Sequence, residues 1–159
     1  MHHSVPSVSL QVPQEFLESA LRLYFEYKAY SAALHMAGAA EELFGKLLRE
    51  QGGTPYLDFV QQICMEAWNK MISEGPVNTL DGKPMTPKSI ATALNDAKNH
   101  VKHSAAPASY DVRAEACSML WRASSNYEGL RQAGAPLPVE HELMDRLDDE
   151  CMELVLKAR

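Results

Sequence analysis

Ala32-Ala33-Leu34-His35-Met36-Ala37-Gly38-Ala39-Ala40 opens a segment, continuing to Glu50, that is apolar over much of its circumference and crowded with small side chains. Small residues let neighbouring helix backbones approach closely. The segment therefore predicts a helix at the centre of a bundle, stopped by Gly52-Gly53. On so buried a helix His35 is expected to be a hydrogen-bonded core histidine.

Amphipathic segments extend on both sides of it. Pro13 suits the first turn of a helix whose Phe16, Ala20, Leu23, Tyr24 and Tyr27 share a stripe. A break is expected between Lys28 and Ser31, because an unbroken helix to Gln51 would be unusually long, and Ser31 suits the cap of the central helix. Leu57, Val60, Ile63, Cys64, Ala67, Trp68 and Met71 mark a third helix, ended by Gly75-Pro76. Val77 to Met85 is a turn-rich loop, and Thr86-Pro87 caps and starts a fourth helix. Ser104 to Tyr110 forms another loop before Asp111, which suits the cap of a fifth helix carrying Val112, Ala116, Leu120, Ala123, Tyr127 and Leu130. Beyond Gly134-Ala135-Pro136-Leu137-Pro138, a stripe of Leu143, Leu147, Cys151 and Leu154 marks a last helix of acidic sign. That helix is expected to dock on its own bundle or on a partner protomer, near the basic fourth helix. Trp68, Trp121, Tyr24, Tyr27 and Tyr127 lie on helical stripes and are expected in the core. The expected fold is all-α: a flexible N-terminus over 1–12, a four- to five-helix bundle over 13–133, and an appended acidic amphipathic helix within 139–159.

At 159 residues the chain is long enough to bury a real core, and 46% hydrophobic with 23% charged residues is a globular composition. A net charge of −6 argues against a protein that coats nucleic acid through bulk electrostatics, so any anion site must be local. Cys64, Cys117 and Cys151 lack the C-x-x-C spacing of zinc and redox motifs and are expected as reduced core thiols. No apolar run approaches 18 residues and no signal-like leader is present, so no membrane association and a cytoplasmic location are expected. His2-His3 are set aside from any site.

The chemistry concentrates in Asn95-Asp96-Ala97-Lys98-Asn99-His100-Val101-Lys102-His103. On a helix, Asn95, Lys98, Asn99, Lys102 and His103 fall within one arc, opposite Ile90, Ala93, Leu94, Ala97 and Val101. The polar arc offers hydrogen-bond donors, positive charge and a ring that titrates near neutral pH, which suits an anionic ligand. Each residue also has a plainer role: Lys98 and Lys102 as solvated lysines, His103 as a cation at a helix C-terminus, Glu42 paired with Lys46 one turn on. His100-x-x-His103 has no third ligand at helical spacing, so no metal and no other cofactor is expected.

The run Tyr30 to Leu48, with Glu42 and Lys46 four residues apart after an alanine-rich stretch, resembles the second helix of the HEPN domains, the nucleotide-binding and RNase domains of higher eukaryotes and prokaryotes. Lys98-Asn99-His100-Val101-Lys102-His103 is similar to the motif of the active members, an arginine followed by a polar residue and, after four to six positions, a histidine. It departs at the first position, where lysine stands for arginine. The resemblance covers residues 14 to 132.

The resemblance implies metal-independent RNA cleavage at a composite site between two protomers of a homodimer. A toxin or defence setting, with an antitoxin-like protein partner, is also implied. Lys98, Asn99 and His103 would be catalytic: His103 moving the proton, Lys98 facing the phosphorane charge, Asn99 orienting the phosphate or His103. Asn95, Lys102 and His100 would bind substrate, RNA or a nucleotide, with Glu42 supporting. Arginine grips phosphate with a planar fork where lysine offers a point charge. The alternatives are a helical module that binds nucleic acid or nucleotide without cutting, and a structural protein-interaction bundle.

Overall fold

A computed structural model describes residues 7–75, 83–103, 110–134 and 142–157. Among them there is no strand. Six helices follow one another: α1 (Ser7–Phe25), α2 (Tyr30–Glu50), α3 (Tyr56–Glu74), α4 (Pro87–His103), α5 (Val112–Gln132) and α6 (Glu142–Lys157).

The centre of the molecule is α2, as its small side chains require. Ala33, Leu34, Ala37, Ala40 and Phe44 are fully buried between α1 and α5. The contacts Glu41–Arg122, Phe44–Tyr127 and Leu48–Gly129 run in the same order along both helices, so α2 and α5 lie parallel. The close approach has a physical reason at Gly129, where a Cβ would stand 3.0 Å from a Leu48 methyl. α1 returns against α2 through a turn in which Lys28 takes a left-handed φ of 54° and the Tyr24 and Tyr30 rings meet edge to face. Leu17, Ala20, Leu21 and Tyr24 of α1 complete the core.

The expected helix ends hold in several places. α2 closes as a Schellman motif, with the amides of Gly52 and Gly53 donating to the carbonyls of Arg49 and Leu48, and Gly52 at φ 79°. Asp111 caps α5 by accepting from the amides of Arg113 and Ala114. Thr86 accepts from the Ser89 amide while the Ser89 hydroxyl accepts from the Thr86 amide, a reciprocal cap at the start of α4.

Three boundaries differ from expectation. α1 begins at Ser7, not Pro13, and Leu10 is already in the core, so the expected flexible stretch 1–12 is helical from residue 7. Pro13 sits inside the helix, where its missing amide removes one hydrogen bond. The α2 N-cap is Ala29 without a side-chain bond, and Ser31 lies in the first turn of the helix. The loops expected over Val77 to Met85 and Ser104 to Tyr110 lie outside the described residues except at 83–85 and Tyr110.

Several residues expected inside are outside. His35 is exposed, on the part of α2 that neither α1 nor α5 covers. Tyr27 is 71% exposed in the α1–α2 turn, and Trp121 is also exposed. α3 buries no residue completely, and Phe59, Ile63, Met71 and Ile72 face outward. Of the cysteines, Cys117 is buried while Cys64 and Cys151 are half-buried.

α6 packs on α5 and α1, and not chiefly on the basic helix. Leu147 is fully buried, Arg146 stacks over the Phe25 ring at 4.5 Å, and Glu150 accepts from Tyr24 and Arg113. The helix expected as an appendage shares the core of the bundle.

Candidate functional site

Two glutamates adjacent on α2 organise the polar part of the molecule. Glu41 continues the buried stripe of Ala37, Phe44 and Leu48, and faces α5. There it accepts from Arg122 at 3.0 Å, with both side chains about 5% exposed or less. The same guanidinium donates to the Leu94 carbonyl at 2.8 Å and to Asn95 Oδ1 at 2.9 Å, reaching α4. Asn126, one turn further along α5, donates to the Glu41 carbonyl and accepts from the Tyr56 amide at the start of α3. Four helices thus meet through Arg122 and Asn126. A buried carboxylate is tolerated because the guanidinium supplies charge and several donors at once.

Glu42 lies about 100° further around α2 and faces α4. It accepts from Lys98 Nζ at 2.5 Å, with Lys98 only 9% exposed and Glu42 64% exposed. The lysine stem lies across Gly38, where a Cβ would collide with the Lys98 Cδ, so only glycine leaves room for it. The stem packs and the ammonium emerges at the carboxylate.

Beside this pair opens a cleft of about 400 Å³, lined by Glu41, Glu42, Gly45, Lys46, Arg49, Pro55, Leu57, Asn95 and Lys98. Lys46 is exposed on its wall, and Arg49 is held by both carboxylate oxygens of Asp58. That hydrogen bonding raises the Arg49 pKa further above its ordinary value, against a smaller effect of burial.

The expected polar arc of α4 is divided by this packing. Lys98 is not solvated: it is a buried stem ending in an ion pair. Asn95 is half-buried and spent on Arg122. Asn99, Lys102 and His103 are exposed. His100 is half-buried, edge to face with Tyr110 at 5.6 Å, and the Tyr110 hydroxyl donates to the Ala97 carbonyl, fixing the end of α4. Lys98 and His103, five positions apart, point about 140° away from each other around the helix axis. On one protomer the two proposed catalytic groups thus leave different sides of α4. Glu42 takes Lys98 as its partner in place of Lys46.

Glu41, Arg122 and Asn126 were missed from the sequence. Their signal was charge or amide on a core stripe, Arg122 and Asn126 alternating with Met119, Ala123 and Leu130. Among the described residues no group of three or more His, Cys, Asp or Glu side chains is arranged to hold a metal ion. No helix among them is long and apolar enough to cross a membrane.

No family model, no curated protein and no solved structure matches the chain.

Proposed function

We propose that the chain is a HEPN-like helical domain that binds RNA, or a nucleotide, through the α2–α4 cleft and the outward face of α4, without cutting it. The observation that carries this reading is the Lys98–Glu42 pair. An ammonium already neutralised by a carboxylate at 2.5 Å is poorly placed to stabilise a phosphorane, and His103 lies around the helix from it. Lys46, Asn99, Lys102 and His103 are exposed and supply the donors and local positive charge that phosphate recognition needs. A cleft of about 400 Å³ is of the size that holds a small ligand. The outward Phe59, Ile63, Met71 and Ile72 of α3 fit a homodimer, which light scattering tests directly by giving twice the chain mass.

The functional test is fluorescence anisotropy with a labelled mixed-sequence single-stranded RNA in EDTA, followed by a gel of the same samples. The expected result is intact RNA and a complex that weakens as salt rises. Lys46→Glu with Lys102→Glu should weaken it by about tenfold or more, because each reversal replaces a phosphate attraction by a repulsion. Cleavage that Lys98→Ala abolishes returns the endoribonuclease reading. Absence of binding at low salt removes nucleic acid altogether and leaves the protein-interaction bundle.

A further inference from the structure

We propose that Cys117 and Cys151 are a modification site, forming a reversible disulfide that fastens α6 to α5 when the protein meets a hydroperoxide. The two residues are 34 positions apart, on helices that run antiparallel, and their Sγ atoms stand 2.7 Å from each other as free thiols. A disulfide needs about 2.05 Å, so the two sulfurs have well under an ångström left to close. The surroundings hold the register. Glu150, next to Cys151, accepts from Arg113, one turn before Cys117, and from Tyr24 on α1, while Leu147 is buried one turn earlier on α6.

The two thiols are unequal. Cys117 is 2% exposed, and its hydrogen bond with Cys151, together with burial, pushes its thiol far up. Cys151 is half-buried, and the hydrogen bond from Cys117 holds it below the usual thiol range. Cys151, the one a peroxide can reach, is the sulfur that reacts first.

Its thiolate attacks one peroxide oxygen, the O–O bond breaks, and a sulfenic acid and hydroxide result. Cys117 sulfur then attacks Cys151 sulfur, the S–O bond breaks, and the hydroxide leaving group takes the Cys117 proton as water. In sum two thiols lose two electrons and two protons, and one hydrogen peroxide becomes two waters.

The test treats the whole reduced protein with hydrogen peroxide, blocks remaining thiols with a maleimide, and analyses peptides and thermal unfolding. The expected product carries a Cys117–Cys151 linked peptide two hydrogens lighter than the free pair, with the maleimide on Cys64 alone. Closing a loop of this length should raise Tm by about 10 °C, reversed by dithiothreitol. Cys64→Ser should keep both effects. Cys151→Ser should melt like the reduced parent and lose both. Alkylation of Cys117 and Cys151 after peroxide overturns the site, as does oxidation of Cys151 to sulfinic acid with Cys117 unchanged. A link formed with no rise in Tm overturns the fastening.

Discussion

The seam between α2 and α5 and the contact between α2 and α4 each hold one ion pair, on consecutive glutamates, and they are built differently. At the seam Glu41 and Arg122 are both sealed from water, and the guanidinium is divided among a carboxylate, a carbonyl and an amide oxygen. At the α4 contact Glu42 is mostly solvated and meets a single ammonium, whose stem does the packing. With both charges sealed, losing either partner strands the other, so the first pair is fixed by the fold, even though Arg122 Nε is buried without a hydrogen-bond partner among the described residues. A half-solvated pair gains little and is replaceable by water, so under the proposed function the second is where an incoming phosphate would compete.

That contrast breaks first at Arg122. Arg122→Ala leaves the Glu41 carboxylate buried without its cation and Asn95 without its donor. The expected loss is about 3–5 kcal/mol in urea unfolding, enough to unfold many domains of this size. The double change Arg122→Met with Glu41→Leu removes both charges and should recover most of that loss. Equal instability of the double and single variants would mean that shape, not charge matching, holds the seam.

The next effect is at Gly38. A methyl there enters the space of the Lys98 stem, an overpacking cost of about 1–3 kcal/mol, partly offset by the better helix propensity of alanine, about 1 kcal/mol. Gly38→Ala should therefore destabilise, and Lys98→Ala on the same chain should relieve it. Additive losses in that double-mutant cycle would show that the stem is not what fills the site.

These two sites also mark how far the sequence could be read. The all-helical pattern, the central α2 and the caps at Thr86, Asp111 and Gly52 are local properties, set by periodicity and turn chemistry within a few residues. The fate of α4 was not local. Its two sides were not kept as drawn: Ala93 and Leu94, expected to pack, are exposed, Asn95 is half-buried, and which edge of the polar arc turns inward depends on where α2 offers a glycine. Lys98 at that edge meets Gly38, and His103 at the other edge meets solvent. Arg122 stood on the α5 stripe in plain view, yet a lone charge among apolar neighbours names no partner until Glu41 is set opposite it. The exposure of His35 and of the α3 face has the same origin, since helical periodicity gives a face but not its neighbour.

A smaller effect tests α6 through pH. Burial alone would raise the Glu150 carboxyl, but hydrogen bonds from Tyr24 and Arg113 outweigh it and hold the group below its ordinary value. Because the folded state favours the carboxylate, this stabilisation is complete above the ordinary value of 4.5 and is lost as pH falls through the lowered folded one. Stability should drop between about pH 5 and pH 3 more steeply in the parent than in Glu150→Gln, by on the order of 1 kcal/mol. Parallel acid limbs would mean that α6 is held by Leu147 and its apolar neighbours alone.

The smallest expected effect on stability is at Glu42, and it carries the most functional information. Glu42→Gln keeps the shape and a hydrogen-bond acceptor for Lys98 while removing the charge. With Glu42 64% exposed, the change should cost less than about 1 kcal/mol, well below the loss at Arg122. Its consequence for ligands should be larger. The carboxylate repels phosphate at the mouth of the cleft and neutralises the ammonium beside it, so the substitution leaves Lys98 with its charge uncompensated. RNA affinity at low salt should rise, and log Kd should depend more steeply on log salt, as one more cation meets the phosphate backbone. Anisotropy titrations of the parent, Glu42→Gln and Lys98→Met at several salt concentrations decide the matter. If Glu42→Gln binds no more tightly than the parent, the α2–α4 cleft is not where phosphate sits, and the exposed Lys102 and His103 end of α4 is left to bind it alone.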